Sequence, residues 1–158
     1  MQPQDLIEKT IREYLSGVIH MSLATSKDNK PWVCEVHFSE DEDLNLYFRS
    51  KTSRRHSQEI AANPHVAGNI VRQFGLGEEP LGVYFEGTAK LLEPGFEQDK
   101  AFECIKTKQQ ADDSIIEDAK QDDGNKPYKI TVENWYVFGR INGGPMQKHE
   151  LPWDMNRS

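Results

Sequence analysis

The feature that most restricts what this chain can fold into is a period-two alternation of apolar and polar residues, cut into short lengths by turn chemistry. Over 32–38, Trp32, Cys34, Val36 and Phe38 fall on one face of an extended segment, and Val33, Glu35 and His37 on the other. Leu44, Leu46 and Phe48 alternate in the next segment, which runs to Arg49. Over 81–92, Val83, Phe85, Gly87, Ala89 and Leu91 share a face opposite Tyr84, Glu86, Thr88 and Lys90. The connection Ser26-Lys27-Asp28-Asn29-Lys30-Pro31 and the acidic tip Glu40-Asp41-Glu42-Asp43 are tight-turn sequences. With extended segments at 19–25, 65–72 and 127–138, six strands are predicted, the first three as a meander. Gly87 interrupts the side-chain row, so a bulge or a close backbone approach is expected there.

Helices are predicted between these strands. Leu6, Ile7, Ile11, Tyr14 and Leu15 recur at helical spacing over 3–16, with Gly17 placed to cap the C-terminus. A short helix over 53–62 has Ser53 as its expected N-cap and stops at Asn63-Pro64. Residues 95–120 read as two helical pieces, the second capped within Asp112-Asp113-Ser114. The loop 74–80 is a flexible hairpin connection, and 139–158 is punctuated by Gly, Pro and Asn without a clear pattern. At 158 residues the chain is expected to form one domain, 1–158, with its barrel at about 18–138. The expected class is mainly β: a six-stranded antiparallel barrel with helical decoration.

Charge narrows the function. The formal net charge is −7, which argues against nucleic-acid and anionic-membrane partners. No apolar run is long enough for a bilayer, and no secretory signal is expected at the N-terminus. Two distant cysteines, Cys34 and Cys104, fit free thiols and a cytoplasmic location. The histidines show no metal-ligand spacing with one another or with the cysteines, so no metal is expected. No nucleophile elbow, Walker loop, GxGxxG or HExxH motif is present, so any redox chemistry would be a cofactor's.

Against this acidic background, Arg49-Ser50-Lys51-Thr52-Ser53-Arg54-Arg55-His56 packs four fixed cations and a histidine into eight residues. Cations in the first turn of a helix oppose the macrodipole by roughly 0.3–1 kcal/mol each. A bound dianion reverses that sign, because free N–H groups and Arg or Lys both attract phosphate. The island therefore reads as the phosphate grip of a nucleotide-like cofactor, with its Ser and Thr hydroxyls as further donors.

Leu44–Ser50, then Ser53 to Ile60, then Asn63-Pro64-His65-Val66-Ala67-Gly68 form a strand, a basic loop, a short helix ending in Asn-Pro, and a strand. With Leu23-Ala24-Thr25-Ser26, Lys30-Pro31-Trp32-Val33 and Phe85-Glu86-Gly87-Thr88-Ala89, the order and spacing resemble the FMN-binding split barrels related to pyridoxamine 5'-phosphate oxidase, over about 18–92. The resemblance implies a homodimer with one FMN at each of two interface-spanning sites. It matches Ser50 to a hydroxyl contact with the phosphate and Arg55 to a basic phosphate ligand, with His56 where a lysine often follows. Trp32, Cys34, Glu35, Val36 and His37 match the strand alongside the isoalloxazine and ribityl chain. Gly82 falls where the partner subunit reaches the flavin, here with backbone only. Arg49 and Lys51 join the list on charge alone. Among Trp135, Tyr136 and Phe138, the readings are core or dimer packing, or one aromatic, Trp135, beside the isoalloxazine. Cys34 also reads as a small buried hydrophobe, and Glu35 could face the flavin or solvent.

The chain also departs from the family. Oxidases of pyridoxamine phosphate carry an arginine at Trp32, a lysine at His37 and an Arg-x-His-x-Arg-like stretch near the C-terminus, which here ends Leu151 to Ser158. The resemblance is thus closer to the short bacterial members. It implies an FMN-dependent oxidoreductase passing hydride between a reduced nicotinamide or small organic substrate and an acceptor, and not a vitamin B6 oxidase. The alternatives are a non-catalytic flavin carrier or stress sensor, and a barrel without flavin that takes deazaflavin, haem (with His149 as the candidate axial ligand) or only a partner.

Overall fold

In the computed structural model, which describes residues 1–153, eight antiparallel strands form one curled sheet. In chain order the elements are α1 (Pro3–Ser16), β1 (His20–Lys27), β2 (Lys30–His37), β3 (Ser39–Glu40), β4 (Leu46–Lys51), α2 (Arg55–Ala62), β5 (His65–Ile70), β6 (Gly82–Leu91), α3 (Phe96–Gln109), α4 (Ser114–Ala119), β7 (Asn125–Gly139) and β8 (Gln147–Pro152). The sheet order is β2-β1-β5-β6-β7-β4-β3, with β8 also paired to β7. Its two ends come back together, since β2 approaches β4, yet no ladder joins them among the described residues. That open seam makes the barrel a split one.

The expected count of six strands is corrected to eight. β3 is a two-residue extension paired with β4. β8 lies in the stretch expected to be irregular and extends the sheet beside the second half of β7, with Tyr136 opposite Glu150. Residues 154–158 of the expected tail lie outside the described residues.

Fifteen-residue β7 is the spine. One flank pairs with β6 along most of its length, and the other pairs first with β4 and then with β8. A bulge lets it do both. The register to β6 jumps between Glu86 and Gly87, leaving Glu133 outside the ladder, where its carbonyl accepts the Trp153 N–H at 2.8 Å. Gly87 is required there: a Cβ would stand 2.1 Å from the Thr131 carbonyl oxygen.

The core fills the barrel with Phe38, Leu46, Phe48, Phe85, Ile130 and Trp135, and α1 closes one end with Ile11 and Leu15. A second cluster, Phe102, Ile105 and Ile115, packs α3 and α4 against Tyr47 on β4. The expected alternation of β2 is muted because β2 ends the sheet: Trp32 is 40% and Val33 59% exposed. No described helix is long and apolar enough to cross a membrane.

Candidate functional site

A cleft of about 680 Å³ lies along the seam. β2 contributes Trp32, Cys34, Glu35, Val36 and His37; β4 contributes Arg49 and Ser50; the start of α2 contributes Arg54, Arg55 and His56; Gln109 of α3 and Asn125 of β7 complete the lining. Most of the residues singled out from the sequence therefore meet in one place, although they come from segments about twenty residues apart.

The hydroxyl end is buried. Ser50 is the penultimate residue of β4 and Ser57 sits in the first turn of α2, where the Ser57 hydroxyl donates to Ser50 Oγ at 3.0 Å. The Ser50 hydroxyl and His56 Nε2 share a hydrogen bond of 2.8 Å. Beneath them Phe48 and Tyr128 stack at 5.0 Å. Burial, and then the neighbouring charge of Arg54, push the His56 pKa below its ordinary value, so this imidazole is neutral near pH 7.

The helix begins one residue later than the Ser53 cap implies. The Lys51 carbonyl accepts the Arg54 N–H at 3.1 Å, which closes a turn through Thr52 and Ser53 and moves the N-cap to Arg54. Arg54 makes no side-chain cap hydrogen bond, so the first-turn N–H groups lack a side-chain cap beside the cleft.

Arg55 is held from two sides. Its Nε donates to Glu59 Oε2 at 2.8 Å, and its guanidinium carbon lies 4.2 Å from the centre of the Trp32 ring. Arg55, and then the Thr25 hydroxyl, hold the Glu59 carboxyl below its usual range. Arg49 reaches Asp118 of α4 at 3.6 Å. Asp118 also accepts the Asn125 backbone N–H at 2.9 Å, which with the Asn125 side chain and Arg49 lowers its pKa.

Several expected residues stand elsewhere. Trp135 is 0% exposed, packed against Phe85 inside the barrel, so the reading that puts it beside a ligand is corrected in favour of core packing. Lys51 lies past the cleft at the end of β4, opposite Asn125. Gly82 opens β6 opposite Phe138, outside this chain's cleft. Glu35 does line the cleft, but its carboxylate is engaged along β1, where His20 Nδ1 is 3.2 Å away and the Ser22 hydroxyl donates to it. Cys34 lines the cleft half-buried, and burial raises its thiol pKa, so it is protonated and a weak nucleophile. His149 hydrogen-bonds the Gly139 carbonyl at 3.2 Å on β8, outside the cleft. Conversely, Arg54 was visible in the sequence only as charge. Gln109 carried no signal, because a polar residue on a long surface helix says nothing about which strand end it will meet.

A family model described as pyridoxamine 5'-phosphate oxidase matches residues 7–139. None of the curated protein sequences matches the chain. Among solved structures, a haem-binding protein from Mycobacterium smegmatis is similar at TM-score 0.69 and 16% identity, with 89% of this chain covering 57% of that one. HutZ, the haem storage protein from Vibrio cholerae, is similar at TM-score 0.65 and 18% identity, over 84% of this chain and 93% of its own. A FAD-binding protein from Mesorhizobium loti follows at TM-score 0.62 and 18% identity, over 82% and 91%. This chain spans little more than half of the M. smegmatis protein, and at these identities the likeness is one of fold.

Proposed function

Because the chain belongs to the pyridoxamine 5'-phosphate oxidase family, we propose that its cleft holds FMN and that the protein is an FMN-dependent oxidoreductase. The observation that carries this reading is the two-part lining of the cleft. At one end Arg54, Arg55, the buried Ser50 hydroxyl and the uncapped first turn of α2 converge on a single place. Along the rest, Trp32, Cys34 and Val36 form a less polar wall on an edge strand. The first set suits a phosphate dianion and the second a flat conjugated ring.

In this reading Ser50, Arg54, Arg55 and the first-turn N–H groups hold the phosphate, and β2 lies beside the ring. Bound flavin supplies hydride acceptance and release. The chain's part is placement, exclusion of water and charge: the neutral His56 keeps the Ser50 hydroxyl aligned, and Cys34 stays a protonated thiol beside the ring. Trp32 and His37 leave no fixed cation on β2 where a substrate phosphate would need one, so the substrate is a reduced nicotinamide or a small organic molecule and not pyridoxamine phosphate. The partner is a second copy of the chain, supported by the exposed Trp32 and Val33 along the edge strand and by Tyr84 and Phe138 on the outer face.

The visible spectrum of the purified protein, followed by titration with FMN, tests this reading. Flavin bands and saturable binding support it, and protein that stays colourless in excess FMN removes it. Haem in the same cleft is the second reading, favoured by His37, an exposed histidine among the residues that line the cleft. A Soret band that His37→Ala abolishes would select it.

A further inference from the structure

The geometry assigns Glu59 a role in ligand recognition: it is the positioning residue that holds Arg55 with its Nη groups toward the cleft. This inference rests on the reading that the cleft binds a phosphorylated ligand. Glu59 does not line the cleft and is only 5% exposed, which is rare for a carboxylate and requires partners.

Its two oxygens are committed to different elements. Oε1 accepts the Thr25 hydroxyl of β1 at 2.8 Å, and Oε2 accepts Arg55 Nε at 2.8 Å. A carboxylate that only neutralised an arginine could take it bidentate, with two parallel N–H···O bonds. Here Thr25 occupies one oxygen, so Arg55 is gripped at Nε alone. Among the described residues its Nη atoms have no hydrogen-bond partner. Trp32 of β2 covers the guanidinium face at 4.2 Å and fixes its tilt. Three elements thus restrain one guanidinium before any ligand arrives, and such preorganisation lowers the ordering cost of binding.

The buried negative charge also repels an anion, so removing it has two opposite effects, and the sign of the change reports which dominates. If Glu59 merely tied α2 to β1, its loss would change stability without altering discrimination between ligands.

The test is calorimetric titration of wild type, Glu59→Gln, Thr25→Val, Arg55→Ala and the Glu59→Gln/Arg55→Ala double variant with FMN and with riboflavin, which lacks the phosphate. Glu59→Gln is expected to weaken FMN about tenfold and riboflavin less than about twofold, and to add nothing once Arg55 is gone. Thr25→Val, nearly isosteric, should shift FMN in the same direction and serves if Glu59→Gln folds poorly. Unchanged or tighter FMN binding by Glu59→Gln, or an equal loss on riboflavin, overturns the assignment while leaving the flavin reading intact. Wild-type protein that binds no FMN overturns both.

Discussion

Arg55 and His56 are adjacent on α2 and line the cleft in opposite electrostatic states. Arg55 is a fixed cation, clamped by Glu59 and Trp32. On the proposed flavin reading, replacing it with alanine removes a charge-assisted contact worth roughly 1.5–3 kcal/mol, so FMN affinity should fall about ten- to a hundredfold in an equilibrium titration. An unchanged dissociation constant would exclude Arg55 as a ligand. His56 is neutral and its folded-state pKa is depressed, chiefly by burial. Such a group contributes stability that is fully present above its unfolded pKa, about 6.5, and is lost as pH falls through the lower folded value. The denaturant midpoint of the ligand-free protein should therefore drop as pH falls below about 6.5, and His56→Asn should flatten that part of the profile. The acids with depressed pKa values, Glu59 and Asp118 among them, act at lower pH, which keeps the two regimes separable.

At the scale of elements, the bulge in β7 organises the sheet. Before Glu133 the inward residues are the even ones, Tyr128, Ile130 and Val132; after it they are the odd ones, Trp135 and Val137. One extra residue flips every later side chain to the other face. This explains why Trp135 is in the core and Phe138 outside. It also explains why the sequence leaves the role of Trp135 open: an alternation read without the bulge has no fixed phase across it. Gly87 is the partner of that bulge. Gly87→Ala should destabilise the fold by about 3 kcal/mol, since the obstructing atom is a backbone carbonyl that cannot swing aside. Thermal or denaturant unfolding checks this, and a loss below about 0.5 kcal/mol would mean that the backbone relaxes freely.

At the scale of the whole molecule, local signals read well and long-range ones poorly. The basic loop, the short helix ending at Asn63-Pro64 and the alternating β6 were legible because each rests on neighbours in sequence. β8 was not, because only Leu151 of its six residues is buried, and its stability comes from pairing with a strand that ends eight residues earlier. The closing of the seam was equally hidden. Ser50 and Trp32 come to line one cleft across a gap that no ladder spans among the described residues, so the cleft is a property of sheet curvature. If the second-copy proposal holds, sedimentation equilibrium should give twice the 18.2 kDa chain mass, and a charge placed at Val33 should halve it. A monomeric wild type would require the cleft to function without a partner.

Equilibrium titration of the purified chain with FMN, followed by flavin fluorescence, reaches the central claim most directly. Saturable binding of one FMN per chain is expected, with Arg54→Ala/Arg55→Ala abolishing most of the preference over riboflavin. Fluorescence that stays that of free flavin through a large excess of protein would contradict the assignment of this seam as a flavin phosphate site.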